Sequence, residues 1–448
     1  MSFAIVVNAL VATCLSSQIR AATINGFVTD AATGENLPGA TVIFKNLNVG
    51  TLSNDEEYYA IKNLPSGDHI MRITYIGYES QLDTISFTRD QQRRSDITLT
   101  PESVILTEET VITAKRLDTE LTQQTSVTVL QAKTLKRLPS VGEPDLLRSL
   151  QLLPGVQSAS DISSGLYVRG GGPDQTRILL DQVPLYNPAH AFGFFSTFNP
   201  DAIKDVTFYK GAYPAQYGGA LGAVLDVQNK EGNRNKVSGK GALSLISGRM
   251  LVEGPLDNGS WTLSGRRTYL DPVLDIVRNR GTEVPDYYFY DLNGKINKQY
   301  GDRNTFVLSS YFGRDFLDFQ LDPKADSFFN IAWGNKAIMG RWKRIFTPSI
   351  FGRFVTYLSQ YQSDINVRIF DTPAGFSNKV EDISIKSDIS YFASNKHTIT
   401  TGSELSFFYF SFGSSFNFQE QFVLETRPLQ LSLYLQDDWK PNPLIDAR

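Results

Sequence analysis

The chain has 448 residues, 41% hydrophobic and 20% charged, with a formal net charge of −4. That balance excludes the basic footprint of a nucleic-acid binder, and one cysteine with three histidines leaves no internal disulfide and little material for a structural zinc site. Glycine (34) and aromatic residues (12%) outweigh methionine (4), a profile of strands and turns rather than of helix bundles.

The first predicted element is a leader. Phe3 to Leu15 is mostly apolar and is followed by Ser16-Ser17-Gln18-Ile19-Arg20-Ala21-Ala22. This predicts a signal peptide over residues 1–21, with Cys14 inside the removed part, although no Lys or Arg precedes the apolar core. A buried first strand is the alternative. Residues 22–100 then alternate apolar and polar positions between turn clusters such as Thr33-Gly34-Glu35-Asn36-Leu37-Pro38-Gly39. Strands are predicted at 24–30, 41–45, 58–61, 69–75 and 96–99, a spacing that gives a small β-sandwich.

Residues 101–137 are a connector with few apolar positions and no helical stripe, so little packed core is expected. Within it, Glu108-Glu109-Thr110-Val111-Ile112-Thr113-Ala114 is a short β-prone segment suited to adding a strand to a partner's sheet edge.

Residues 138–231 carry short apolar strands, each ended by Gly, Pro or Asn. They read Leu166-Tyr167-Val168-Arg169-Gly170-Gly171-Gly172, then Ile178 to Asn187, Asp205 to Gly211 and Tyr217 to Asp226. A helix is predicted at 145–153, with Leu146, Leu150 and Leu153 near one face and Pro154 as its stop. Asn199-Pro200 predicts a second short helix with Pro at its first position. Strands at 166–168, 177–180 and 206–209 are expected to form a small sheet, with glycines at 170–172 and 218–219 supplying the bends.

From 232 to 448 the pattern becomes long and two-periodic. Ile385, Ile389 and Tyr391 alternate with Lys386, Asp388 and Ser390, and Leu431, Leu433 and Leu435 alternate with Gln430, Ser432 and Gln436. One face suits lipid and the other a wet lumen. No apolar run reaches the ~18 residues of a membrane helix, as expected for strands that cross a bilayer. The fold class predicted is mainly β: a small β-sandwich, an α+β plug, and the N-terminal part of a transmembrane antiparallel β-barrel.

Those segments carry a resemblance. Residues 166 to 231 closely resemble the plug domain of TonB-dependent outer-membrane receptors. Gly26-Phe27-Val28-Thr29-Asp30, Leu37-Pro38-Gly39-Ala40 and Leu64-Pro65-Ser66-Gly67 before Tyr75-Ile76-Gly77-Tyr78 resemble the carboxypeptidase-regulatory-like domain. Glu57 stands where that family usually turns on glycine, and its name implies no peptidase activity. The combination resembles the receptors of Bacteroidetes-type bacteria. It implies a bacterial outer-membrane location, no enzymatic activity and no cofactor. It also implies import of an external nutrient, driven by TonB with its inner-membrane energising complex. The implied partners are TonB, outer-membrane lipid and a small-molecule, glycan or siderophore ligand, with no nucleic acid. A surface lipoprotein lid is a candidate partner, because larger sugar importers of this type often use one.

The resemblance also nominates residues. Glu109, Thr110, Val111, Ile112, Thr113 and Ala114 resemble a TonB box. Arg169 and Gly170 resemble the plug pair that sits against barrel-wall acids, for which Glu404 and Asp438 are the lumen-facing candidates; bonding of Arg169 within the plug is the alternative. Gln182 stands where glycine usually follows the plug aspartate, here Asp181. Tyr186, Asn187, His190 and Phe192 crowd one plug loop with Phe194 and Phe195, and are candidates for gripping ligand or for packing on the barrel wall. Plugged transporters close with about 22 strands, and about ten are predicted here. The chain is therefore expected to be a fragment or a truncated gene product. A signalling receptor and a non-transporting adhesin are the other classes consistent with parts of this pattern.

Overall fold

The computed structural model describes residues 21–54, 56–102, 126–131, 143–158, 164–244, 246–269, 274, 284–322, 327–369, 372–442 and 445–447. The signal-peptide expectation, apart from Ala21, and the TonB-box expectation lie outside these residues.

The N-terminal unit is a β-sandwich. Strand Ala22–Asp30 pairs antiparallel with Tyr58–Leu64 and parallel with Gln92–Arg94 and Ile97–Leu99. The facing sheet orders Val49–Leu52, Thr41–Phe44, Gly67–Thr74 and Gln81–Phe87. Alternate positions of these strands point inward, so Ile24, Val28, Val42, Phe44, Ile61 and Met71 meet in one core. Strands 49–52, 81–87 and 92–94 have no counterpart in the sequence reading, because they are short, polar or half-buried.

The plug is built on a five-stranded sheet ordered Val183–Pro184, Thr176–Leu180, Ala223–Asn229, Ile203–Tyr209 and Val127–Gln131. Two expectations change here. Strand Val127–Gln131 falls in the predicted connector, yet it pairs along its length with Ile203–Tyr209. Tyr167–Val168 leaves the main sheet and pairs with Val156–Gln157 instead. The helix spans Leu146–Leu150, started by Asp145, whose side chain accepts the Arg148 N–H at 3.0 Å. Residues 199–202 form a turn rather than a helix. The Asn199 side chain accepts the Asp201 N–H at 3.0 Å, an Asx turn that competes with helix continuation.

The remaining strands form one twelve-stranded antiparallel sheet from Ser238–Leu243 to Ile445–Ala447. Its middle strands, such as Asn304–Asp322 and Ser327–Thr347, are 19 and 21 residues long, more than the ~9–11 needed to cross a bilayer. Leu308, Ile338, Ile383 and Ile385 point outward and are exposed, while Ser309, Met339, Asp382 and Ser384 point inward and are buried. Two aromatic belts bracket the apolar outer face. Phe306, Trp342 and Phe354 stack at one level, with ring centroids 6.1 and 5.0 Å apart; Tyr288 and Phe316 stack at 4.9 Å at the other. Phe306 and Phe316 share strand Asn304–Asp322, and ten residues at ~3.3 Å each, tilted near 40°, give about 25 Å of height, the thickness of a barrel's apolar band.

The plug lies against the inner face of this sheet. Its core residues Leu180, Val206, Phe208 and Leu225 continue into barrel-wall residues Val307, Met339 and Tyr357 without a break.

Candidate functional site

Plug, barrel wall and N-terminal sandwich meet in a polar seam. Its charged clusters sit at three depths that can be counted along strand Asn304–Asp322: at Asp315, at Ser309, and beside Thr305, which pairs with Lys343.

At the Asp315 level, His190 of the plug is 1% exposed. Its Nδ1 lies 2.5 Å from Asp315 Oδ2 and its Nε2 2.8 Å from Asp291 Oδ1. The ring stacks on Phe289, with centroids 4.0 Å apart and planes 5° from parallel. Burial by itself lowers the imidazole's pKa, but the two aspartates outweigh it and push it up to about 9. His190 is therefore an imidazolium that donates to both carboxylates. Asp291 also receives Arg266 at 2.6 Å and the Tyr311 hydroxyl at 2.7 Å. Arg266 reaches back to plug Glu143 at 3.0 Å, and Arg249 joins Glu143 at 3.3 Å and Asp201 at 2.6 Å. Each carboxylate has a cationic partner, the condition under which buried charge is tolerated.

At the Ser309 level, the plug turn at Asp181 is held to the wall. Asp181 accepts from Lys295 Nζ at 2.8 Å, Ser309 Oγ at 2.6 Å and the Asn229 N–H at 3.0 Å. Asp181 and Gln182 both take positive φ, 50° and 72°, as a two-residue hairpin between paired Leu180 and Val183 requires.

At the Thr305 level, the sandwich enters the lumen. Glu56 lies 2.8 Å from Lys343 and 3.0 Å from Arg353 of the wall, and accepts from plug Gln182 at 3.1 Å. Burial raises its carboxyl pKa, yet Arg341, Lys343 and Arg353 together hold it well below the usual carboxylate range. Glu57 bridges Lys204 of the plug and Lys343 of the wall, each at 3.1 Å. The Lys204 ammonium, lowered by burial, is driven well above its usual range by Glu57, Glu231, Asp205 and Glu35. Among the described residues no group of three or more His, Cys, Asp and Glu side chains is placed to hold a metal ion.

The nominated residues divide accordingly. Arg169 is exposed, has φ 50°, and donates to Ser126 Oγ at 3.2 Å within the plug. Glu404 is mostly buried, and its partners are Lys386 at 3.2 Å, Arg177 at 3.5 Å and the Tyr357 hydroxyl at 3.2 Å. The predicted Arg169–Glu404 contact is thus replaced by Arg177–Glu404. The reason is register: Arg177 lies on the strand beside the wall, while Arg169 sits on the Val168–Gly171 turn, where Gly170 has φ 88°. Asp438 accepts from Gln436 at 2.9 Å on its own strand. Tyr186 donates to Asp382 at 3.1 Å, and Asn187 to the Tyr361 hydroxyl at 3.3 Å. Phe192 is 65% exposed, tilted 4.8 Å from Trp333. His190 is a wall contact rather than a free ligand group. Glu143, Arg249, Arg266, Glu56 and Lys343 were missed by sequence reasoning. The available signal was charge at inward positions of two-periodic strands, as at Arg266 and Lys343.

A small sheet packed on the inner face of a belted, two-faced strand wall is the architecture of a plugged outer-membrane barrel. Two family models agree with this: a carboxypeptidase-regulatory-like domain matches residues 24–112 and a TonB-dependent receptor plug domain matches residues 119–224. The chain therefore carries the plug domain of TonB-dependent receptors, a class of non-enzymatic proteins of the bacterial outer membrane. Similar solved folds include the ferripyoverdine receptor of the outer membrane of Pseudomonas aeruginosa, with TM-score 0.53 and 12% identity over 77% of this chain and 55% of that one. The outer membrane transporter YddB of Escherichia coli gives TM-score 0.52 and 13% identity over 70% and 54%. The siderophore receptor PirA of Acinetobacter baumannii gives 0.48 and 17% over 71% and 59%. The chain spans less than two thirds of the length of each. No curated protein matches it in sequence.

Proposed function

We propose that this chain belongs to a transporter that binds an external nutrient and imports it with energy delivered by TonB. The observation that carries this reading is the seam. The plug packs along the inner face of this wall and is joined to it by discrete charged contacts at His190, Glu143 and Asp181. Passage requires part of the plug to move, and such contacts break one by one under load, whereas the wall stays intact. TonB would engage Glu109 to Ala114, between the sandwich and the plug edge strand Val127–Gln131.

Ligand would meet the plug surface near Phe192, Tyr186 and Asn187. The candidates are a siderophore complex, a glycan or another small molecule, with a surface lipoprotein as a further partner. The deciding experiment measures uptake of labelled ferric siderophores and oligosaccharides by cells carrying the complete gene, with and without residues 109–114, at matched surface levels. Loss of uptake with binding retained is expected; undiminished uptake overturns the reading.

A further inference from the structure

The N-terminal sandwich does more than precede the plug. It covers the rim formed by the short turns at 301–303, 348–349 and 393–396, the end at which the plug leads into the barrel and, on the reading above, the periplasmic one. It touches four points there. Glu35 accepts the N–H groups of Glu231 at 2.6 Å and Gly232 at 3.2 Å where the plug leads into the first barrel strand. Arg94 donates to the Asp302 carbonyl, and Tyr58 to the Pro348 carbonyl at 2.9 Å. Lys62 and Asn395 exchange two hydrogen bonds, at 2.8 and 2.6 Å. Tyr58 is fully buried between Phe351 and Phe392, 5.3 and 5.7 Å away.

Inside this ring the turn before Tyr58 projects between plug and wall. Glu57 holds φ 64°, a left-handed conformation that disfavours residues other than glycine. The plug turn facing it carries Gln182 at φ 72°. A side chain occupies both strained positions, and both side chains are engaged in the same seam, Glu57 on Lys204 and Lys343, Gln182 on Glu56. Strain retained at Glu57, whose two ion pairs join the sandwich to plug and wall, indicates that this contact is what the residue serves.

We propose that the sandwich is a second, inner closure of the pore. It wedges Glu56 and Glu57 between plug and wall, and must undock from the rim before solute can leave on the periplasmic side. The chain leaving the domain is stitched back onto it, with the Glu102 N–H on the Gly77 carbonyl at 3.0 Å and the Glu79 N–H on Thr100 at 2.9 Å. A pull applied beyond Glu102 therefore loads the docked domain as well as the plug edge strand. This inference rests on the TonB-driven reading above for the source of the pull.

The test uses the complete receptor in living cells, with Cys14→Ser, Lys62→Cys and Lys396→Cys, and a short bismaleimide as probe. Efficient cross-linking is expected in cells treated with a protonophore, with at least a twofold lower yield in energised cells. Glu56→Gln with Glu57→Gln should lower the protonophore-state yield at least fivefold at matched barrel levels. No cross-link, a yield indifferent to Glu56 and Glu57, or equal yields in both energy states would overturn the closure. A fall on energisation that persists without residues 109–114 keeps the closure and removes the TonB-box assignment instead.

Discussion

His190 Nδ1 of the plug lies 2.5 Å from Asp315 Oδ2 of the barrel wall, and the ring's other nitrogen lies 2.8 Å from Asp291. Replacing His190 with Ala leaves Asp315 buried, with the uncharged Tyr287 hydroxyl and the Ala191 N–H still donating to it. Removing one partner of a buried pair costs about 3–5 kcal/mol. Asp291 keeps Arg266, so the lower end of that range applies. The expected outcome is faster amide exchange and greater protease access across the plug, with the barrel strands unchanged. Plug protection equal to that of the parent would show that the pair contributes nothing.

The same pair sets a pH dependence. The folded pKa of His190, about 9, lies above its unfolded value near 6.5. A raised histidine contributes stability that is fully present below pH ~6.5 and is lost as pH rises through about 9. The shift corresponds to about 3 kcal/mol. Plug exchange protection should therefore fall between pH 7 and pH 10, and His190→Gln should flatten that fall. A plug equally protected at pH 7 and pH 10 would count against the imidazolium.

Arg177 and Arg169 separate two registers. Arg177 faces Glu404 at 3.5 Å with both side chains mostly buried, whereas Arg169 bonds to Ser126. A double-mutant cycle of Arg177→Ala with Glu404→Gln should give a coupling of roughly 0.5–1 kcal/mol, since Lys386 shares the carboxylate. The cycle of Arg169→Ala with Glu404→Gln should give none. Coupling in the second cycle and not the first would reverse the assignment.

The readable part of this protein was what local patterning encodes. Alternation set Ile385 on a face opposite Lys386 and Asp388, and turn clusters separated the sandwich strands. What escaped depends on distant partners. Val127–Gln131 is a strand because Ile203–Tyr209 lies beside it, and nothing near residue 127 announces that. Glu56 and Lys343 are 287 residues apart in sequence and 2.8 Å apart in space. Glu57 and Gln182 each stand where glycine was the expected turn residue, and in the sequence they read only as departures in turn geometry; that both turns lie in the seam is visible only in the structure. His190 was singled out by residue type and loop position and Arg169 by the resemblance of its Arg-Gly pair to the plug family, and neither signal distinguishes a group aimed at the wall from one aimed at solvent.

The wall itself can be tested by neighbouring residues of opposite facing. Leu308 points outward at 53% exposure and Ser309 points inward to Asp181 at 2.6 Å. Leu308→Arg places a charge on the lipid face between the belts and should cost about 2–4 kcal/mol, lowering barrel assembly. Ser309→Ala removes one hydrogen bond to a carboxylate that retains Lys295, about 1.5–3 kcal/mol, and should loosen the plug turn while barrel levels hold. Heat-modifiable gel mobility reports the first and amide exchange at residues 178–184 the second. Equal effects of both substitutions on barrel assembly would contradict the two-faced wall.

Two glycine substitutions distinguish backbone strain from side-chain contact. Gln182→Gly and Glu57→Gly each relieve a left-handed residue, a gain of about 1 kcal/mol. Gln182 gives Glu56 one uncharged donor, and Glu56 retains Arg353 and Lys343. Gln182→Gly should therefore stabilise the plug hairpin and leave the sandwich docked. Glu57→Gly removes two ion pairs at once and leaves Lys204 without its nearest carboxylate partner. These side chains are about nine-tenths buried, so the lost pairing outweighs the relieved strain: an uncompensated buried charge costs several kcal/mol. Docking should weaken although the backbone relaxes. Cross-linking between residues 62 and 396 measures both. Near-parental yield for Gln182→Gly with a severalfold drop for Glu57→Gly is the expected pair of results. The opposite order would mean that the turn's backbone conformation, and not the charge it carries, seats the domain.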